Sequence, residues 1–154
     1  MDAELERRGI DQVAPLPTVD PTQDELHPAG KVDLKLVTCL QDFPNGEMRE
    51  LVKQAPPRMY PEGYELCREG ARGDCCWILA TGFVDVFRNV RGVEHHLATI
   101  EGGTLLGAMA LVDGSDRSAT LRVRRPSVIL RLDRTPFVQA LLKGMPYAAR
   151  FQRQ

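Results

Sequence analysis

Residues 104–120 read TLLGAMALVDGSDRSAT, the segment of the chain richest in groups that could bind a charged ligand. Gly107 lets backbone approach a bound group closely, because it carries no Cβ. The amides of Ala108 and Met109 follow at the expected start of a short helix, where unpaired N–H groups favour an anion. Arg117 then supplies a planar, permanently charged fork that fits phosphate. Ser118 beside it has a hydroxyl that could reach a phosphate or a purine edge, or serve only as an ordinary strand hydroxyl. Gly107, Ala108, Met109, Arg117 and Ser118 are therefore the candidate binding set, for a ligand carrying one phosphate. Asp113 and Asp116 lie in the same loop. They are expected to shape a turn, but turned inward they would weaken anion binding. In a pocket without a ligand, either could fold back and neutralise Arg117.

Other reactive residues do not assemble in the sequence. Ser115 and Asp116 have no histidine beside them, so no nucleophile–base pair is visible and no enzymatic activity is expected. His95 and His96 are adjacent on an expected strand, hence on opposite faces, and cannot both serve one metal without a bulge. The four cysteines, Cys39, Cys67, Cys75 and Cys76, form no paired CxxC motifs, so free thiols are expected rather than a zinc site. Cys75 and Cys76 should face opposite ways, with Cys76 partly buried as a small hydrophobe. Trp77, the one tryptophan, is expected in the core or as an intersheet anchor, with an interface hot spot as the alternative.

The elements that must position the candidate site are short. Residues 1–30 contain Pro15, Pro17, Pro21 and Pro28 among acidic residues. They read as a flexible arm that orders only on a partner. Leu34, Leu36, Val37, Leu40 and Phe43 have near-helical spacing, and Met48, Leu51 and Val52 mark a second helix that Pro56-Pro57 ends. From Arg58 the pattern changes to short strands punctuated by glycine. Strands are expected at 65–68, 76–81, 83–88, 93–100, 104–106, 119–123 and 128–132, with a hairpin turn at Arg91-Gly92. Phe137, Val138, Leu141 and Leu142 mark a closing helix at 135–142, and residues 147–154 could begin another.

At 154 residues the chain suits one domain of modest core. Its charge is uneven: residues 117–154 hold nine Lys/Arg and one acid, about +8, so the remainder carries about −9. A basic stretch could meet nucleic acid or an acidic partner, or be a solvated strand face. No apolar run is long enough to span a bilayer, and MDAELERRG lacks an apolar signal region. A cytoplasmic protein without membrane contact is expected.

Over residues 33–150 the chain resembles the cyclic nucleotide-binding domain of the catabolite activator protein family. The resemblance rests on Pro61-Glu62-Gly63, Arg68-Glu69-Gly70, Gly73-Asp74 and Gly82 in order, then on Gly107…Arg117-Ser118-Ala119-Thr120 and the closing helix. It implies a mainly β fold with flanking α: a double-stranded, jelly-roll-like β-roll with short N- and C-terminal helices, over residues 31–154. It also implies a phosphate-binding cassette at 107–118 and a cyclic nucleotide as possible ligand. The family's cassette usually reads Phe-Gly-Glu, the glutamate taking the ribose 2′-hydroxyl. Here Leu106-Gly107-Ala108 stands in its place. Losing a hydrogen bond to a charged group forfeits about 1.5–3 kcal/mol, some ten- to a hundredfold in affinity. DNA-binding members carry a helix-turn-helix after the long helix. The sequence ends at Gln154 without one, so DNA binding is not expected.

Three functional readings follow. The first is a non-catalytic regulatory or accessory subunit that docks on a larger protein complex, through residues 1–30, with weak or lost nucleotide binding. The second is a cyclic-nucleotide sensor of altered selectivity. The third, an analogy at the level of fold, is an auxiliary subunit of a multi-subunit bacterial redox enzyme such as a soluble NAD-linked hydrogenase.

Overall fold

A computed structural model of the chain describes residues 25–30, 32 and 46–143. In chain order its elements are β1 (His27–Pro28), α1 (Gly46–Gln54), β2 (Arg58–Tyr60), β3 (Glu65–Cys67), β4 (Cys75–Val90), β5 (Val93–Glu101), β6 (Thr104–Leu106), α2 (Met109–Asp113), β7 (Thr120–Asp133) and α3 (Arg134–Lys143). The seven strands form one antiparallel sheet in the order β1-β2-β7-β4-β5, with β3 added to β7 and β6 to β4. This is the β-roll with flanking helices that the sequence predicts. The expected helices over 34–43 and 147–154 lie outside the described residues.

The first half of β4 shows why the roll closes. Strand alternation sends Cys76, Ile78 and Ala80 to one face and Cys75, Trp77 and Leu79 to the other. Both faces are buried. Cys76, Ile78 and Ala80 join an outer apolar cluster with Met48 and Val52 of α1 and Phe137 and Ala140 of α3. Cys75, Trp77 and Leu79 join an inner cluster with Tyr60, Val84, Leu106, Leu121 and Ile129. Cys75 and Cys76 thus face apart as expected, and Cys76 is fully rather than partly buried. Cys67, Cys75 and Cys76 are free thiols. Burial pushes the Cys75 thiol up to about 12, so it stays protonated and acts as a packing group.

Two glycine- or proline-marked breaks turn out to be bends. The expected strands 76–81 and 83–88 are one strand, β4, and 119–123 and 128–132 are one strand, β7. Their pairing shifts register between Leu79 and Val84. Gly82 sits there with φ +112°, and a Cβ on it would lie 2.0 Å from Ser127 Oγ, so the crossing strands touch where no side chain fits. The buried Ser127 hydroxyl accepts from Phe83 N at 3.1 Å and donates to the Arg125 carbonyl at 2.6 Å, replacing the interrupted ladder. At Arg91-Gly92 both residues have positive φ (53° and 83°), the two-residue turn that suits twisted hairpins.

The N-terminal boundary shifts. The sequence places the end of the flexible arm at residue 30, with His27 inside it. Leu26 is buried in the inner cluster, and His27 and Pro28 pair with Met59 and Arg58. Residues 25–30 therefore pack on the roll, because Leu26 offers it one more apolar side chain.

Part of the basic C-terminal stretch is paired within the sheet. Arg122 pairs with Glu65 and Glu94, Arg124 with Asp85, and Arg131 with Asp133. His96 Nε2 lies 3.0 Å from Asp85 Oδ1. Burial pushes the Asp85 carboxyl up, but hydrogen bonds from Thr99, His96 and Arg124 outweigh it and hold the group below its usual range. Among the described residues no helix is long and apolar enough to cross a membrane.

Candidate functional site

Pairing of β6 with β4, Leu106 opposite Trp77, delivers the chain to Gly107 beside the inner cluster. Gly107 has φ +75° and turns the backbone into α2. Ala108 is already helical (φ −73°, ψ −27°), and Gly114 closes the helix in the left-handed conformation, φ +73°. Ala110 and Leu111 are buried on the helix, whereas Met109 is 71% exposed. The loop back to β7 is tied down by backbone. Arg117 N donates to the Ala71 carbonyl and Gly70 N to the Arg117 carbonyl, both at 2.8 Å. Arg72 and Asp116 form an isolated antiparallel bridge.

These constraints drive the Arg117 side chain inward, where it is only 5% exposed. Its Nη1 donates to the Gly107 carbonyl at 2.6 Å, and its Nη2 to the Cys75 carbonyl. Its Cζ lies 4.9 Å from the centre of the Trp77 ring. Its Nε is buried without an acceptor. The fit is close: a Cβ on Gly107 would lie 2.6 Å from Arg117 Nη1 and 2.9 Å from Trp77 Cζ3, and one on Gly73 would lie 3.2 Å from Arg117 Cζ.

The expected internal acid partner is not there. Asp113 accepts from Ser115, at 2.8 Å from the amide and 2.5 Å from the hydroxyl, and these bonds hold its carboxyl below the usual range. Asp116 is exposed, and only its backbone bridges to Arg72. Among the described residues Arg117 makes no ion pair. Two carbonyls and an aromatic face hold the guanidinium where sequence proximity suggested an aspartate would neutralise it.

Against this guanidinium opens a cleft of about 280 Å³. Gly107, Met109, Arg117 and Ser118 line it on the cassette side, and Val86 and Ile100 of the hairpin line it opposite. Four of the five predicted residues therefore converge. The fifth, Ala108, is half-buried with its methyl against the outer cluster, and offers the cleft no polar group. Cys67 also lines the cleft, donating to the Ala119 carbonyl at 3.6 Å; burial pushes its thiol up, which makes it a protonated wall rather than a nucleophile. Sequence reasoning did not place Trp77, Val86, Ile100 or Cys67 at the site. Alternation marks all four as strand residues, but only the closure of the roll decides which of them face the cassette. The arrangement can hold an anion against a buried cation at one end and apolar surface against apolar walls at the other.

Comparison with known proteins bears on the same residues. Residues 57–143 match the model of the cyclic nucleotide-binding domain family. A "Cyclic AMP receptor protein" of Thermus thermophilus is 33% identical over 93 residues, covering 60% of this chain and 43% of that protein. A "cAMP-dependent protein kinase regulatory subunit" of Aspergillus niger is 32% identical over 82 residues, covering 53% of this chain and 20% of that protein. The chain thus spans less than half the length of these curated relatives. A solved cyclic nucleotide-binding-like protein from Brucella abortus superposes with TM-score 0.58 at 27% identity, covering 70% of this chain and 93% of that one. The regulatory domain of Toxoplasma gondii PKA, solved with cAMP, superposes with TM-score 0.63 at 20% identity over 77% of this chain and 45% of that one, a likeness of fold.

Proposed function

Since the chain belongs to the cyclic nucleotide-binding domain family, we propose that its cleft takes a cyclic nucleotide by the phosphate, weakly, and that the protein is a non-catalytic regulatory subunit. The observation that carries this reading is Arg117. A buried guanidinium that has lost its ligand is expected to acquire an internal carboxylate, because an uncompensated buried charge is costly. Arg117 has none; its charge stays uncancelled and its Nε–H has no acceptor. Such a site favours an incoming anion. The weakness follows from Ala108, which brings no acceptor for the ribose. Any response would pass to a larger protein, with the acidic N-terminal segment as the expected contact and residues 25–30 already taken up by the roll.

A ligand pair tests this reading. If no protein group receives the ribose hydroxyl, cyclic AMP and its 2′-deoxy analogue should bind within about threefold of each other, well short of the ten- to hundredfold that one charge-assisted bond is worth. Calorimetric titration with both compounds decides it. A preference for the ribose form beyond about tenfold would reveal a second acceptor and overturn the weak-site reading.

A further inference from the structure

Arg117 is held in a way that leaves its charge intact, and the group responsible is an aromatic ring. Two carbonyl oxygens satisfy Nη1 and Nη2. Neither carries a full charge, so together they do not neutralise the guanidinium. The remaining contact is the Trp77 ring, 4.9 Å from Arg117 Cζ. Trp77 is 3% exposed and fixed on β4 opposite Leu106 and Arg131. Its position is further set by Gly107, where a methyl would approach both the ring and the guanidinium within 3 Å. A π face attracts a cation through its quadrupole and is strongest when both are desolvated. Unlike a carboxylate, it holds the cation without competing with an arriving anion.

We infer that Trp77 is a positioning residue for the anion site: it is the platform that keeps the Arg117 guanidinium ordered at the cleft without cancelling its charge. This rests on the reading that the cleft takes a phosphate. Removing the ring while keeping apolar bulk should leave Arg117 charged but poorly placed. Replacing it by a smaller ring should preserve most of the effect.

The test uses the full chain and two readouts. By NMR, the Arg117 Nε–H resonance, assigned from its loss in Arg117→Lys, should lie upfield of the other arginine Nε–H signals in the wild type, through the ring current of Trp77. That displacement should persist in part in Trp77→Phe and vanish in Trp77→Leu. By calorimetry, Trp77→Leu should bind cyclic AMP about tenfold more weakly than wild type, and Trp77→Phe should stay within about threefold. A Trp77 acting only as core packing would lower the melting temperature of both variants without separating their affinities. An Arg117 signal undisplaced in the wild type, or Trp77→Leu binding like the wild type, overturns the inference. Should Trp77→Leu fail to fold, the wild-type spectrum still tests the ring contact on which the inference rests, and Trp77→Phe still tests the affinity. Should the wild type bind no cyclic nucleotide while its Arg117 signal is displaced, the phosphate reading fails and the ring contact stands as packing alone, which also removes the positioning role.

Discussion

Arg117→Ala should abolish the response to cyclic nucleotides, weakening binding by more than about a hundredfold, since a forked, charge-assisted contact to phosphate is lost. It should also destabilise the free protein by roughly 1–3 kcal/mol. Two opposing effects set that second figure. The substitution strands the carbonyls of Gly107 and Cys75, one of them in a buried setting, and leaves the Trp77 face without its cation. It also relieves the desolvation of a charge that no acid compensates. The stranded carbonyls win, because the bonds they lose are each worth more than an ordinary neutral pair, while the adjoining cleft admits water to only part of the space left behind. Chemical denaturation and titration together check this. A variant as stable as wild type that still binds cyclic AMP would show that Arg117 neither holds the cassette nor meets the ligand.

Gly107→Ala should be as damaging from the opposite direction. The residue has φ +75°, a conformation costing a side-chain-bearing residue about 1–2 kcal/mol. Its new methyl would fall 2.6 Å from Arg117 Nη1 and 2.9 Å from Trp77 Cζ3. Neither group can retreat, because both are buried and the guanidinium is bound on two sides. Overpacking of this kind adds about 1–3 kcal/mol. The total, about 2–5 kcal/mol, corresponds to a fall in melting temperature on the order of 10 °C. Gly70→Ala is the control: Gly70 has φ +87° but nothing within 4 Å of the added methyl, so it should show only the conformational cost. Equal melting points for the two variants would mean that the close packing around Arg117 does not limit stability.

Much of the architecture is legible in the sequence where local chemistry decides it. Pro56-Pro57 stops α1, Arg91-Gly92 makes the hairpin, and the apolar run from Cys75 to Ala80 marks a strand. The cassette is legible too, because Gly107, Gly114 and Arg117 are close in sequence and each meets a local need. What escapes is whatever depends on distant strands. Cys75, whose carbonyl receives Arg117, is 42 residues away from it. Sequence proximity nominated Asp113 and Asp116, but Ser115 engages the first and the second is exposed. Gly82 and the gap between 123 and 128 read as breaks between strands, yet Ser127 supplies the bonds that let both strands run on through a bend. Some of the charge asymmetry along the chain is likewise met only in three dimensions, where Arg122 and Arg124 of β7 reach acids on β3, β4 and β5.

Calorimetric titration of the full chain with cyclic AMP distinguishes a live anion site with an empty ribose contact from its alternatives. Saturable one-site binding is expected, with Kd between about 1 μM and 1 mM, some −8 to −4 kcal/mol, lost in Arg117→Ala. The absence of saturable heat at millimolar nucleotide would contradict the live site. A Kd well below about 1 μM would contradict the missing ribose contact.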